Sequence, residues 1–126
     1  QKGSKNYAIP HAMDGYDEIA LTGPVKLISN TTETILTPET FGVTQIQESD
    51  IYGGETVAAS AKIFTEILEG NGRQAQNNVV CANAALAIAT VEKCSLVAGF
   101  EKAQESLLAG KALKSLEIVK KLSNRI

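Results

Sequence analysis

The chain has 126 residues, of which 44% are hydrophobic and 21% charged, and its formal net charge is −2. This length suits one domain with a hydrophobic core rather than two domains. The weak negative charge argues against a nucleic-acid-binding surface spread over the whole domain, and without a run of about 18 consecutive apolar residues no membrane span is expected.

The N-terminus and the cysteines bear on where the chain works. The polar N-terminus lacks the apolar stretch of a signal peptide, and because it begins with Gln1 we expect the chain to be a piece of a longer polypeptide. Cys81 and Cys94 are too few for a disulfide framework and do not form a metal-type pair. We predict that both are buried free thiols of a cytoplasmic protein.

The first third of the chain has the character of β-structure. Residues 6–11 predict a short strand that is stopped by Pro10. Residues 18–23 and 25–29 flank Gly23-Pro24, a dipeptide typical of turns. Apolar side chains are largely on alternating positions here, namely Ile19, Leu21, Val25, Leu27, Ile35 and Leu36. The alternation predicts a β-hairpin or a small antiparallel extension.

A short helical turn and a first long helix are predicted next. Thr37, Pro38 and Gly42 have the residue types of a cap, a first helical position and a stop. Residues 56–69 have helical spacing, and the helix is expected to end at Gly70. The recurring apolar side chains are Val57, Ala61, Phe64 and Leu68, with Ile63 and Ile67 beside them.

Three further helices are predicted in the C-terminal half. Residues 77–91 are rich in Ala and apolar almost all round, which indicates a helix buried on most sides. Ser95 is expected to cap a third helix that ends by Gly110, and residues 112–122 predict a fourth. Strands followed by a helical cluster indicate an α/β or α+β fold, and this order also suits the end of a longer α/β domain.

The acidic stretch MDGYDEIALTGP, residues 13–24, is the main candidate for chemistry. Mg²⁺ is commonly held by one or two carboxylates together with substrate phosphates, and Asp17 and Glu18 could supply both from one loop. On a regular strand these side chains would diverge, so their cooperation requires irregular backbone, which Gly15 allows. The alternative is a solvated acidic turn in which Asp14 accepts local backbone hydrogen bonds.

Four segments in order carry a resemblance to a known family. HAMDGYDEIALTGP is followed by LTPETFGV, YGGETVAASAKIF and VVCANAALAI. Together they resemble the C-terminal part of anthranilate phosphoribosyltransferases, and the resemblance runs from about Tyr7 to the last helix. It implies a C-terminal portion of a nucleoside-phosphorylase/phosphoribosyltransferase-like α/β domain, with strands and a hairpin followed by about four helices.

The resemblance also implies roles for individual residues. Asp17 and Glu18 match the family residues that help to bind Mg²⁺ at the phosphoribosyl pyrophosphate site, whereas Asp14 and Gly15 would shape the turn that brings them together. Tyr16 stands where many members have Leu. Pro10 and Ala12 also depart from the commoner Val and Gly, which affects only local backbone geometry.

Other parts of the family site are not found in this sequence. The glycine-rich pyrophosphate loop, the Lys-His-Gly-Asn-type segment and the anthranilate-contacting arginine would lie upstream, as would the helical N-terminal domain that forms the homodimer. We therefore expect residues 1–126 to be one portion of the large α/β domain, inactive alone and without a catalytic residue of its own.

Several other features are expected to be structural. His11 is the single histidine and lies near the acids, where it would support the site rather than act as a base. Gly53-Gly54 would form a junction before a helix rather than an anion site. The GNGR stretch, residues 70–73, lacks a Walker-type Lys-Ser/Thr and indicates a helix–helix loop.

The C-terminal helix leaves an alternative function open. From Lys111 onward there are five Lys and Arg residues against Glu117 alone, as on the outer face of an amphipathic helix. A relative of this fold that binds nucleic acid through Lys114, Lys120 and Lys121 is one alternative, although aromatic interleaving is lacking. A pyrimidine nucleoside phosphorylase is another. The favoured function is phosphoribosyl transfer from phosphoribosyl pyrophosphate to anthranilate in tryptophan biosynthesis.

Overall fold

A computed structural model of the chain describes residues 6–123. Three strands come first: β1 (Ala8–Ala12), β2 (Val25–Ser29) and β3 (Glu33–Leu36). Two short 3-10 helices follow, Pro38–Phe41 and Glu48–Ile51. The rest is helical: α1 (Val57–Leu68), α2 (Gln74–Glu92), α3 (Leu96–Leu108) and α4 (Lys111–Ser123). The predicted order of strands followed by four helices is confirmed.

The three strands form one antiparallel sheet in the order β1-β2-β3. Ala12 lies opposite Val25, and Val25 lies opposite Leu36. The predicted hairpin is therefore present, but its tip is the SNTT stretch, where the Ser29 N–H donates to the Thr32 carbonyl at 2.8 Å. The strand predicted to end at Pro10 continues through it, because β1 is an edge strand and edges tolerate proline.

The prediction of a strand over residues 18–23 is wrong. Ile19, Ala20 and Leu21 are all buried, so neighbouring side chains do not alternate between core and solvent as strand side chains do. Leu21 has a φ of 62°, in the left-handed region, which breaks the extended chain. Gly23-Pro24 accordingly ends a long loop between β1 and β2 rather than a hairpin.

The core lies between the sheet and the helix pair α2–α3. It joins Leu27 and Leu36 of the sheet with Phe41 of the first 3-10 helix and Phe100 of α3. The rings of Phe41 and Phe100 are 6.1 Å apart, centroid to centroid, at an interplanar angle of 47°. Burial of these aromatic side chains attaches the short 3-10 helix to α3.

Helices α2 and α3 approach closely at Gly99. A Cβ atom at this position would lie 2.7 Å from the carbonyl oxygen of Ala85 in α2, which is closer than van der Waals contact allows. Ala82 and Ala85 on the facing side of α2 are fully buried. Small residues on both helices therefore set the spacing of the pair.

Helix α2 differs from its prediction in extent and in burial. It begins three residues earlier than predicted, where Arg73 N–H donates to Gln76 Oε1 at 3.2 Å. Its outer side is not buried among the described residues, since Val91 is 78% exposed and Val80 and Ala87 are also exposed. Ala87 and Val91 of this exposed apolar stripe lie beside the outer edge of β1.

Helix α1 begins and ends as predicted but packs through a different face. The Thr56 hydroxyl accepts from Ala59 N–H at 3.1 Å, and Gly70 has a φ of 78° after the C-terminus. The packed side chains are Ile63, Ile67 and the predicted Leu68, whereas Val57 and Phe64 are exposed.

Among residues 6–123 no single helix is long and apolar enough to cross a membrane; α2 and α3 reach that length and composition only together, bent by 117°.

Gly54 has a φ of 91° and packs against Ala59 of α1, as expected of a structural junction. Residues 69–73 form the predicted helix–helix loop.

The two thiols are free, as predicted, but they differ in burial. Cys81 is buried, and burial raises the pKa of its thiol, whereas Cys94 is only half-buried. A raised pKa leaves less thiolate at a given pH, and thiolate is the reactive form. Iodoacetamide at pH 8 should therefore alkylate Cys94 roughly tenfold faster than Cys81 or more. Mass spectrometry of the native protein measures both rates, which should converge in denaturant; faster native alkylation of Cys81 would contradict this assignment.

Candidate functional site

The acidic loop connects β1 to the buried segment at Ile19. Ala12 N–H donates to the Tyr16 carbonyl at 3.1 Å, and Gly15 N–H donates to the Ala12 carbonyl at 3.2 Å. Gly15 has a φ of 105°, a conformation that residues with a Cβ rarely adopt. The backbone at Asp17 and Glu18 is therefore irregular, as the metal hypothesis requires.

Asp14 fixes the base of this loop. Its carboxylate accepts a hydrogen bond from the Thr22 hydroxyl on the return segment. The Thr22 carbonyl accepts from Gln45 Nε2 at 2.6 Å, and Leu21 O accepts from Ile46 N–H at 3.1 Å. The solvated-turn alternative expected Asp14 to bond local backbone, and the structure shows instead a contact eight residues along the chain.

Asn83 of α2 holds the other end of the loop. Its Oδ1 accepts from the Ile19 N–H at 3.0 Å, and its Nδ2 donates to the Ile19 carbonyl at 2.8 Å and to Val79 O at 2.9 Å. The predictions gave Asn83 no role. The available signal was an amide inside an Ala-rich helix, because a polar group among buried neighbours needs hydrogen-bond partners.

Asp17 and Glu18 themselves are exposed carboxylates. Neither has a hydrogen-bond or ion-pair partner among residues 6–123. Both line a groove of about 620 Å³ between β1 and α2, whose other walls include Pro10, Leu86 and Thr90. They also line a recess of about 300 Å³ on the Tyr16 side, so the acidic loop separates two depressions.

These two residues fit a Mg²⁺ ion that is completed by other ligands. Mg²⁺ takes oxygen donors and retains several waters, so one or two unengaged carboxylates beside an open groove suffice. No group of three or more His, Cys, Asp or Glu side chains that could hold a metal lies within the described residues. If Mg²⁺ binds here, acidic, His and Cys side chains of the described residues would not complete its coordination, and waters or substrate oxygens could supply the other ligands.

The other sequence candidates lie away from the groove. His11 is on the outer face of β1, opposite Lys26 of β2, whereas Ala8 and Pro10 face the groove. The Lys26 ammonium pairs with Glu33 at 2.6 Å on that outer face.

The basic residues predicted for a nucleic-acid surface lie on α4. Lys111 pairs with Glu105 at 3.1 Å, whereas Lys114, Lys120 and Lys121 are exposed. Arg125 lies outside the described residues.

Comparison with known proteins places this geometry in a family. Residues 2–113 match the family model described as "Glycosyl transferase family, a/b domain". The chain belongs to this family. The match covers the sheet, the acidic loop and the helices up to the start of α4, so the family assignment includes every element that positions Asp17 and Glu18.

The curated relatives that match this chain include anthranilate phosphoribosyltransferases. The chain is 54% identical over 123 residues to an anthranilate phosphoribosyltransferase from Flavobacterium johnsoniae, covering 98% of this chain and 37% of the relative. An anthranilate phosphoribosyltransferase from Christiangramia forsetii is likewise 54% identical over 123 residues, with 37% of its length covered. The chain thus spans little more than a third of the length of these curated relatives.

Solved structures in the family have the same fold over this part. The structure of anthranilate phosphoribosyltransferase from Thermus thermophilus has a TM-score of 0.79 at 25% identity, covering 89% of this chain and 34% of that one. The enzyme from Saccharomyces cerevisiae in complex with PRPP and Mg has a TM-score of 0.75 at 24% identity, covering 89% and 32%. The predicted fold class, a partial α/β domain of this type, is confirmed.

Proposed function

We propose that the full-length protein carrying this chain transfers the phosphoribosyl group from phosphoribosyl pyrophosphate to anthranilate in tryptophan biosynthesis, with release of pyrophosphate. The observation that carries the proposal is the Asp17-Glu18 pair, which is exposed at a groove and has no partner among residues 6–123, within a chain 54% identical to an enzyme of that name. The Saccharomyces cerevisiae enzyme of the same fold is described in complex with PRPP and Mg.

Asp17 and Glu18 are the proposed Mg²⁺ ligands in this site. Bound there, Mg²⁺ would neutralise charge on the pyrophosphate leaving group. The backbone that carries the two carboxylates is held by hydrogen bonds at Tyr16 and Ile19, so less backbone ordering is needed when substrate phosphates approach. The amine of anthranilate is itself a nucleophile, so orientation and charge stabilisation, rather than a base on this chain, carry the reaction.

The remaining parts of the site are proposed to lie elsewhere in the polypeptide. Residues 1–126 would be the C-terminal portion of the large α/β domain, with the phosphate-binding loop and a helical, dimer-forming N-terminal domain in the remainder. Among residues 6–123 the outer edge of β1 pairs with no strand and Val91 is exposed, which supports this division because unpaired edges and apolar stripes are usually covered. The two free cysteines suit a cytoplasmic protein.

A turnover assay on the full-length protein tests the function. Phosphoribosyl pyrophosphate, anthranilate and Mg²⁺ together should yield stoichiometric pyrophosphate and consume anthranilate, and omission of any one should stop both. Phosphate-dependent cleavage of a pyrimidine nucleoside without pyrophosphate release would contradict the proposal. So would salt-sensitive oligonucleotide binding without turnover, lost when Lys114, Lys120 and Lys121 are neutralised. The isolated 126-residue chain should be inactive.

A further inference from the structure

The Asn83 amide forms an unusually complete set of contacts with a single backbone position. It accepts from the Ile19 N–H at 3.0 Å and donates to the Ile19 carbonyl at 2.8 Å, as a partner strand would. Its second N–H donates to Val79 O at 2.9 Å within α2. The opposite amide orientation would set donor against donor and acceptor against acceptor, so the hydrogen-bond network determines the orientation.

Ile19 is the first buried residue after the acidic loop. Its side chain is 1% exposed, and residues 18–23 belong to no strand. The backbone groups of Ile19 therefore have no sheet ladder to satisfy them, and Asn83 takes that place. This contact spans 64 positions in sequence and ties the loop to the middle of α2.

The loop is thereby held on both sides of its two carboxylates. On one side the Tyr16 carbonyl accepts from Ala12 N–H at 3.1 Å, and on the other Asn83 holds Ile19. Only Asp17 and Glu18 lie between these fixed points. So short a span restricts the backbone angles that each carboxylate can sample, and this restriction lowers the ordering cost of binding a cation.

We propose that Asn83 is the positioning residue of the cation site: its amide fixes Ile19 and thereby orients Asp17 and Glu18 toward the groove. Asn83 also lines that groove beside both carboxylates. The inference rests on the proposed function, since it takes the two carboxylates as ligands. Groups that hold metal ligands in place commonly change metal affinity or activity by about 10- to 100-fold when they are replaced.

The test compares Asn83→Ala with Asn77→Ala in the full-length protein. Asn77 is the matched control, because it lies on the same helix and its Nδ2 donates to a backbone carbonyl, that of Gly72, at 3.1 Å, away from the acidic loop. Amide hydrogen exchange at Ile19 without ligand is the first measurement. Exchange of the Ile19 N–H should be about 10-fold faster or more in Asn83→Ala than in Asn77→Ala, because only Asn83→Ala removes the acceptor of that N–H.

Cation binding is the second measurement, with Mn²⁺ and inorganic pyrophosphate as the probe and paramagnetic resonance as the readout. Asn83→Ala should weaken Mn²⁺ binding about 10-fold, and Asn77→Ala should leave it unchanged at matched thermal stability.

In turnover, Asn83→Ala should raise the Mg²⁺ concentration for half-maximal rate more than it lowers the rate at saturating Mg²⁺. Asn83→Asp, which keeps the acceptor for the Ile19 N–H but loses both donors, should be intermediate in exchange at Ile19.

Two failures are distinguishable. If the unsubstituted protein turns over its substrates but the two alanine variants change exchange and cation binding equally, Asn83 has only a structural role and the inference is overturned. If the unsubstituted protein neither turns over phosphoribosyl pyrophosphate nor binds Mn²⁺ with pyrophosphate, the proposed function is wrong and the inference falls with it.

Discussion

Replacing Asp17 with Asn and Glu18 with Gln should raise the Mg²⁺ requirement of the full-length protein and slow its turnover about 100-fold. The substitutions preserve side-chain shape and remove only the two negative charges. Because neither carboxylate has a partner among residues 6–123, the free energy of unfolding should hardly change. Initial rates of pyrophosphate release across a Mg²⁺ series, with thermal unfolding alongside, measure both effects.

Glu48→Gln is the control for this pair of substitutions. Glu48 lies beside Tyr16 in a neighbouring depression, so it is close to the loop without belonging to it. Its neutralisation should leave the Mg²⁺ requirement unchanged, which separates a specific ligand effect from a general loss of negative charge. An unaltered Mg²⁺ dependence in the double variant would remove Asp17 and Glu18 from the site.

Phe100→Ala should destabilise the chain by about 3–5 kcal/mol, the usual cost of deleting a buried aromatic ring. Phe100 is 4% exposed and contacts Phe41, so the substitution opens a cavity between α3 and the first 3-10 helix. Urea denaturation of the protein measures the change. The corresponding Phe64→Ala on α1, where the ring is 52% exposed, should cost less than about 1 kcal/mol.

A double-mutant cycle with Phe41→Ala isolates the ring contact. The coupling between the two substitutions should be about 1 kcal/mol, the range measured for tilted aromatic pairs. Strictly additive effects would show that the two rings contribute through burial alone. A large effect of Phe64→Ala would instead place the core of the protein on α1.

Local signals predicted the elements that local chemistry determines. Thr56 and Ser95 cap α1 and α3 through hydrogen bonds to Ala59 N–H and Ala98 N–H, both at 3.1 Å. The family resemblance and the acidic loop were also accessible from residue order alone. Capping and turn chemistry involve residues within a few positions of each other, so a sequence displays them directly.

Contacts between distant positions account for the errors. In the sequence, Ile19 and Leu21 have the two-residue spacing that is typical of a strand. Their backbone groups are instead hydrogen-bonded to Asn83 and to Ile46, partners that sequence periodicity does not reveal. The apolar composition of α2 predicted a helix buried on most sides, but its outer stripe is exposed. Composition alone does not show whether another segment covers a given face. The role of Asn83 was missed for the same reason, since it depends on a segment 64 positions away.

The close crossing at Gly99 has a consequence for variants that do not line the groove. Ala85, whose carbonyl faces Gly99, is two positions from Asn83 on the same helix. A methyl group at position 99 would displace that turn of α2, and with it the amide that holds Ile19. We therefore expect Gly99→Ala to behave in a genetic screen as a defect rescued by added Mg²⁺, although Gly99 is not one of the residues that line the groove. A loss of activity that added Mg²⁺ does not relieve would show that the displacement stops short of Asn83.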